Sequence, residues 1–311
     1  MPEKTAEPGP VKLDTSHETG SSEPNESAAP VKDGDSEPIK SIGALIELSE
    51  ELLSMRKPDG KPTRWAFRGQ SQDFGTLVPS FQRQFTHQYL GAAEEIEHRL
   101  IEAFREHYAK VAVAGSDMPS PARVGLGFDL RCLSVMQHYE IPTRLLDWTG
   151  DFWTAVYFAC ASDPTKTAEL WYYDRALFEE QRRKDTQYTN LVDRSPLVSK
   201  EPLFLGRRYS NLIVELDFQI TPRMDQQQAH HTVCTEVFSD HVQLIEALAK
   251  QMGFGGEQPV LHRDLIDASA KGNVLQYLAQ KGMTASTIFP DVVGLGRFLR
   301  WQFESLRTML M

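Results

Sequence analysis

The stretch Gln137-His138-Tyr139-Glu140-Ile141-Pro142-Thr143-Arg144-Leu145-Leu146-Asp147-Trp148-Thr149 limits what this chain can fold into more than any other. It sets Arg144 and Asp147 among apolar neighbours, together with hydrogen-bonding side chains and an indole. It then runs into Phe152-Trp153-Thr154-Ala155-Val156-Tyr157-Phe158-Ala159, an apolar segment of helical character. A charge buried in such surroundings without a partner is costly, so both charges need a partner or a use. One reading makes Arg144 and Asp147 an ion pair that fixes a turn. The other makes the turn one wall of a ligand site on which distant parts of the chain converge.

The 311 residues suffice for one large domain or two ordinary ones, and 41% are apolar, so a sizeable core can form. A formal charge of −10 argues against a general nucleic-acid binder, whose footprint is basic, and leaves a local basic groove open. Cys132, Cys160 and Cys234 are odd in number and far apart, without a CxxC pair. They indicate neither a zinc site nor a disulfide framework, and they fit a reducing, cytoplasmic setting. No apolar run approaches the roughly 18 residues that cross a bilayer. The acidic, polar start lacks the basic and apolar regions of a signal peptide.

Residues 1–40 are rich in Pro, Glu, Ser, Lys and Gly and poor in large apolar side chains, which predicts a disordered tail before a domain over 41–311. Ile42, Leu45, Ile46, Leu48, Leu52 and Leu53 have helical spacing, with Ser41 or Ser49 as cap. Lys57 to Pro62 reads as a turn, and Trp65-Ala66-Phe67 as a strand that continues through Leu77 to Phe81. Arg68 falls on the face opposite the Trp65 and Phe67 rings, and Gly69 lets backbone or ligand come close. Helices are expected over 88–113 and 129–139; Pro142 disfavours helix at Ile141. After a helix over 152–162, strands are expected at Glu169–Tyr173, Asn211–Leu216 and Pro259–Leu261. Helices are expected over 240–252, 271–281 and 292–310. The basic runs Arg182-Arg183-Lys184 and Arg207-Arg208 read as solvated surface.

Arg68 offers a planar fork of donors suited to phosphate or carboxylate, and it also suits a bridge to Asp147. Between Gln226 and His231, five of six residues carry amide or imidazole groups, which can read a base, an amide or a sugar. The pair His230-His231 lacks a third ligand at a clear spacing, so no metal is expected.

Four segments together resemble the FRG domain, a family named for its Phe-Arg-Gly motif. The first is Phe67-Arg68-Gly69-Gln70 with Leu77, Pro79-Ser80 and Arg83. The second is Gln137-His138-Tyr139 with Pro142 to Thr149 and Ala155 to Ala159. The third is Arg223 with Gln227-Gln228 and Thr232, and the fourth Phe289-Pro290-Asp291 with Gly294-Leu295. The third departs from the pattern Gln-x-Gly-x-Phe-Thr: Ala229 stands for Gly and His231 for Phe. The order of blocks is also similar to a divergent ADP-ribosyltransferase.

That likeness implies an α+β fold, a small split mixed sheet with surrounding helices. It implies Arg68, Asp147 and Gln227 as catalytic residues. Gly69, Gln70, His138, Tyr139, Thr143, Arg144, Trp148 and Thr149 would bind NAD, the expected substrate. The implied function is transfer or hydrolysis at the nicotinamide–ribose bond, with a nucleic-acid or protein acceptor and no membrane. The alternative is a non-catalytic module that binds a nucleotide or nucleic acid, as a sensor in a defence or stress system.

Overall fold

The computed structural model describes residues 37–57, 59–85, 92–111, 126–185, 212–217, 224, 226–254 and 259–289. Helix α1 (Ile42–Ser54) starts where the Ser41 hydroxyl accepts from the Ala44 amide at 3.2 Å, as its spacing predicts. The Trp65 indole donates to Leu52 O at 2.8 Å and fixes the end of α1 against β1 (Trp65–Gln70). Helices α2 (Ala93–Val111) and α3 (Leu126–His138) follow. Next come β2 (Leu145–Thr149) and α4 (Phe152–Cys160), capped by Asp151, which accepts from Thr154 N at 2.7 Å. Then come β3 (Ala168–Asp174), α5 (Ala176–Lys184), β4 (Ile213–Leu216) and β5 (Ala229–Cys234). Helix α6 (His241–Met252) stops at Gly253, whose φ of 83° is the left-handed conformation that ends helices. Strand β6 (His262–Ile266), α7 (Lys271–Gln280) and the short α8 (Ala285–Ile288) complete the described chain.

The strands form one six-stranded sheet in the order β4-β5-β2-β1-β3-β6. Every strand pair is antiparallel; among the described residues the parallel pairing is the isolated bridge Ile39–Ile266 at the edge. The α+β class therefore holds, and the sheet is antiparallel rather than mixed in its strand pairings. It is also split. Strand β1 pairs with β3 along its whole length, from Trp65↔Asp174 to Gln70↔Glu169, but with β2 only at Phe67↔Thr149. Past that pair the two central strands part.

Alternation along the strands builds two cores. On one face, Phe67 meets the Phe152 ring edge-on at 5.4 Å between α1, α4 and α7. The same face continues as Leu145, Val214 and Val233 under α2 and α3. On the other face, Ala66, Leu146, Trp148, Trp171 and Tyr173 pack against α5 and α6. Each fully buried large side chain contributes about 1.5–3 kcal/mol.

Three local expectations differ from the structure. Leu77–Phe81 leaves the strand and loops over to β2, where the Phe81 amide donates to Thr143 O at 3.0 Å. The late strand is His262–Ile266, just after the expected Pro259–Leu261, because a proline has no amide for a ladder. The polar run at 226–231 is a turn entering β5, so His230 and His231 lie on opposite faces, both buried. Of the expected tail, residues 37–40 are described and Ile39 pairs with β6; residues 1–36, Arg207-Arg208, Arg223, Pro290-Asp291, Gly294-Leu295 and the helix over 292–310 lie outside the described residues.

Candidate functional site

The three letters of the Phe-Arg-Gly motif do three different things. Phe67 is wholly buried in the core beneath α4. Gly69 is the contact point between β1 and α4: a Cβ there would overlap the Ala155 carbonyl oxygen and the Ala159 amide. Arg68 turns to the other face, into the gap where β1 and β2 part, and its Nη1 donates to the backbone oxygen of Asp147 at 2.8 Å. Its Nε is buried without a hydrogen-bond partner. Burial lowers the Arg68 pKa, which Asp147 partly offsets, yet a guanidinium stays charged.

Asp147 is the one exposed residue of β2, which is otherwise buried on both faces. Both of its carboxylate oxygens accept hydrogen bonds. Gln137 Nε2, from the last turn of α3, lies 2.9 Å from Oδ2, and His231 Nε2, the cross-strand neighbour on β5, lies 3.2 Å from Oδ1. Desolvation at the cleft wall alone would raise the Asp147 pKa, but His231, then Arg68 and Gln137, prevail and hold it at about 2. The His231 ring is itself backed by Ser134, whose Oγ is 3.5 Å from Nδ1. Ser134 is fully buried and does not line the cleft, so these groups are not a serine-nucleophile triad facing a substrate.

A cleft of about 240 Å³ opens at the parting of the sheet. Arg68, Asp147 and Gln227 all line it, as do Gly69, His138, Trp148 and Thr149. Trp148 shows the cleft little of itself: it is buried against Tyr173, and its Nε1 donates to Thr232 Oγ1 at 2.9 Å. Thr149 Oγ1 donates to Gln227 O at 2.6 Å and accepts from Asp151 N at 3.0 Å, so it holds the turn before β5 in place. Gln227 Nε2 donates to Ile288 O at 2.9 Å.

The other expected ligand residues do not line the cleft. Gln70 is buried and donates to Glu169 at 2.6 Å and to Thr76 O at 3.0 Å. Arg144 is buried and pairs with Glu97 of α2 through Nε at 2.7 Å and through Nη2, while Nη1 donates to Thr235 O at 2.7 Å. Its partner is therefore not Asp147. Thr143 is fully buried behind Gln137, and Tyr139 is an exposed ring beside His138. Gln137 and His231 were not among the expected site residues. The signal for Gln137 was its spacing of one helix end from Pro142. For His231 it was its place in the polar run that enters β5. Among the described residues no group of three or more His, Cys, Asp or Glu is placed to hold a metal. No described helix is long and apolar enough to cross a membrane.

Fold and site define an α+β domain with a polar cleft at a break in its central sheet, a cation on one side and a fixed carboxylate on the other. The chain carries an FRG domain: the model of that family matches residues 63–168, from the approach to β1 through β2 and α4 to the start of β3. No curated protein and no solved structure matches the chain.

Proposed function

We propose that the cleft receives the nicotinamide–ribose end of NAD and cleaves the bond between them, in the manner of an ADP-ribosyltransferase or NAD hydrolase. The observation that carries this reading is the polarity of the cleft: an ionised Asp147 faces the same space as a guanidinium with an unused donor. NAD brings a cationic ring and an anionic pyrophosphate, so the two ends of the ligand match the two charges of the site. Cleavage passes through an oxocarbenium-like state, and a preoriented carboxylate stabilises charge that develops there. Arg68 holds phosphate or ribose by charge-assisted hydrogen bonds. Fixing the reactants in place lowers the barrier further, by about 7–11 kcal/mol at best.

The cleft lies just under the roughly 300–1,000 Å³ of common ligand pockets, which suits one end of a dinucleotide rather than the whole. Gln227 spends its amide nitrogen on Ile288 O, so it offers its carbonyl oxygen to a ligand hydroxyl or to water and cannot serve as a carboxylate base. Water or a hydroxyl is thus the favoured acceptor.

A second reading, a non-catalytic nucleotide or nucleic-acid sensor, draws on one observation. Asp147, with its pKa at about 2, and Gln227, an amide, are both weak proton acceptors. One assay separates the two. The purified chain is incubated with NAD, and nicotinamide release is followed for the wild type, Arg68→Lys and Asp147→Asn, with circular dichroism as the check on folding. Release that disappears in the folded variants supports the enzyme. Calorimetric binding of NAD without release supports the sensor, and neither binding nor release would sink the enzyme and an NAD-binding sensor alike.

A further inference from the structure

We propose that His231 and the Thr143–Gln137 pair are positioning residues that clamp one oxygen each of Asp147, so that its outward lone pairs accept from whatever enters the cleft. The inference rests on the site proposed above in taking Asp147 as its ligand-facing carboxylate.

The Gln137 half begins in the backbone. The Leu145 amide donates to Thr143 Oγ1 at 3.2 Å, and the Thr143 amide donates to Ser80 Oγ at 3.2 Å, so the threonine is fixed at both its backbone and its side chain. Its hydroxyl proton then goes to Gln137 Oε1, with the oxygens 2.5 Å apart. An amide whose oxygen is held this way presents its NH2 group at the other end, and that group reaches Asp147 Oδ2 at 2.9 Å. The Asp147 carboxylate also favours this orientation, since the flipped form would set Oε1 against it, and the Thr143 hydroxyl holds the amide's other end so that the NH2 group stays on Oδ2.

The His231 half comes from the opposite element. Nε2 lies 3.2 Å from Asp147 Oδ1, and Ser134 Oγ sits 3.5 Å from Nδ1. In the neutral ring this makes Nε2–H the donor to Asp147 and Nδ1 the acceptor from Ser134. Phenylalanine at this position would remove the donor altogether. The groups acting on Asp147 are His231 from β5, Arg68 from β1 and Gln137 from α3. With both oxygens held from behind, a ligand has to bring donors or positive charge to this end of the cleft.

The test reads Asp147 directly. In full-length protein with 13C-labelled aspartate, the Asp147 carboxyl signal is assigned by its loss in Asp147→Asn and titrated without NAD. Wild type is expected to stay ionised through the mildly acidic range. Thr143→Val and His231→Phe are each expected to raise the midpoint by about one pH unit, the scale of a lost hydrogen bond to the charged form, and Thr143→Ser to restore it. A packing role alone would lower thermal stability and leave the midpoint where it is. Thr143→Val is close to isosteric, so it decides the matter if His231→Phe does not fold: an unmoved midpoint in folded Thr143→Val overturns the proposal. Because the titration needs no substrate, a shifted midpoint with no nicotinamide release upholds the clamp and removes the NAD reading. Release with an unmoved midpoint does the reverse.

Discussion

Asp147 owes its lowered pKa to its neighbours, and the direction of that dependence is measurable. Its folded pKa of about 2 lies below the roughly 3.9 of an unperturbed aspartate, so ionisation favours the folded state. That contribution is fully present above the unfolded value and is lost as pH falls through the folded one. Thermal midpoints of wild type and Asp147→Asn should therefore differ most at neutral pH and converge as pH drops below about 4. The difference is expected to be small, since the side chain is 51% exposed and solvent screens it. Midpoints that diverge on acidification would contradict the assignment. On catalysis the same substitution acts differently. If Asp147 stabilises developing positive charge, Asp147→Asn should lower the rate of nicotinamide release about 10²-fold or more with a modest change in KM. Arg68→Lys keeps the charge but loses the fork, so it should weaken NAD binding more than it slows the chemical step.

Elements were more legible in the sequence than the contacts between them. Periodicity located α1, α2, α6 and α7, and Gly253 and Gly282 stopped the last two at φ of 83° and 81°. The Arg68 face followed from counting by twos along β1. What sequence spacing could not supply was partner choice across the fold. Arg144 and Asp147 are three residues apart, yet Arg144, just before β2, takes Glu97 from α2, 47 residues away, and Asp147 takes His231 from β5. His231 stayed hidden for the same reason: it meets Asp147 only through the pairing of β2 with β5. The Arg144–Glu97 pair pins α2 to the start of the strand that carries Asp147. Arg144→Met strands a buried carboxylate and should cost about 3–5 kcal/mol in chemical denaturation. Arg144→Met combined with Glu97→Leu should recover most of that loss. A double variant no more stable than the single would mean the pair does more than satisfy itself. In Gly69→Ala the methyl would push β1 off α4, and a loss of about 1–3 kcal/mol or more is expected in chemical denaturation.

For the molecule as a whole, the decisive feature is where the sheet fails. Four of its five strand pairings run for four or more residues, whereas β1 and β2 hold at Phe67↔Thr149 alone. Central strands normally close on each other, because open backbone groups in a sheet interior need partners. Here the Asp147 carbonyl takes its hydrogen bond from the Arg68 side chain instead of from a strand amide. The break thus costs little backbone pairing, and the space it leaves is the cleft. A ligand lodged there bridges two strands that otherwise touch at one point. Binding should stabilise the fold by mass action, about 2.7 kcal/mol at a hundredfold excess over Kd. It should also act unevenly. Amide hydrogen exchange should slow around the parting, at Arg68–Gln70 and Asp147–Thr149, and at the turn through Gln227 and Gln228 that Thr149 holds. Residues of β6, at the far edge and separated from the cleft by β3, should exchange as before. In Arg68→Lys, which cannot span the gap in the same way, the local slowing should weaken before the global stability does. Uniform protection across all six strands would show that NAD acts on the fold as a whole, and that the parting is not where it binds.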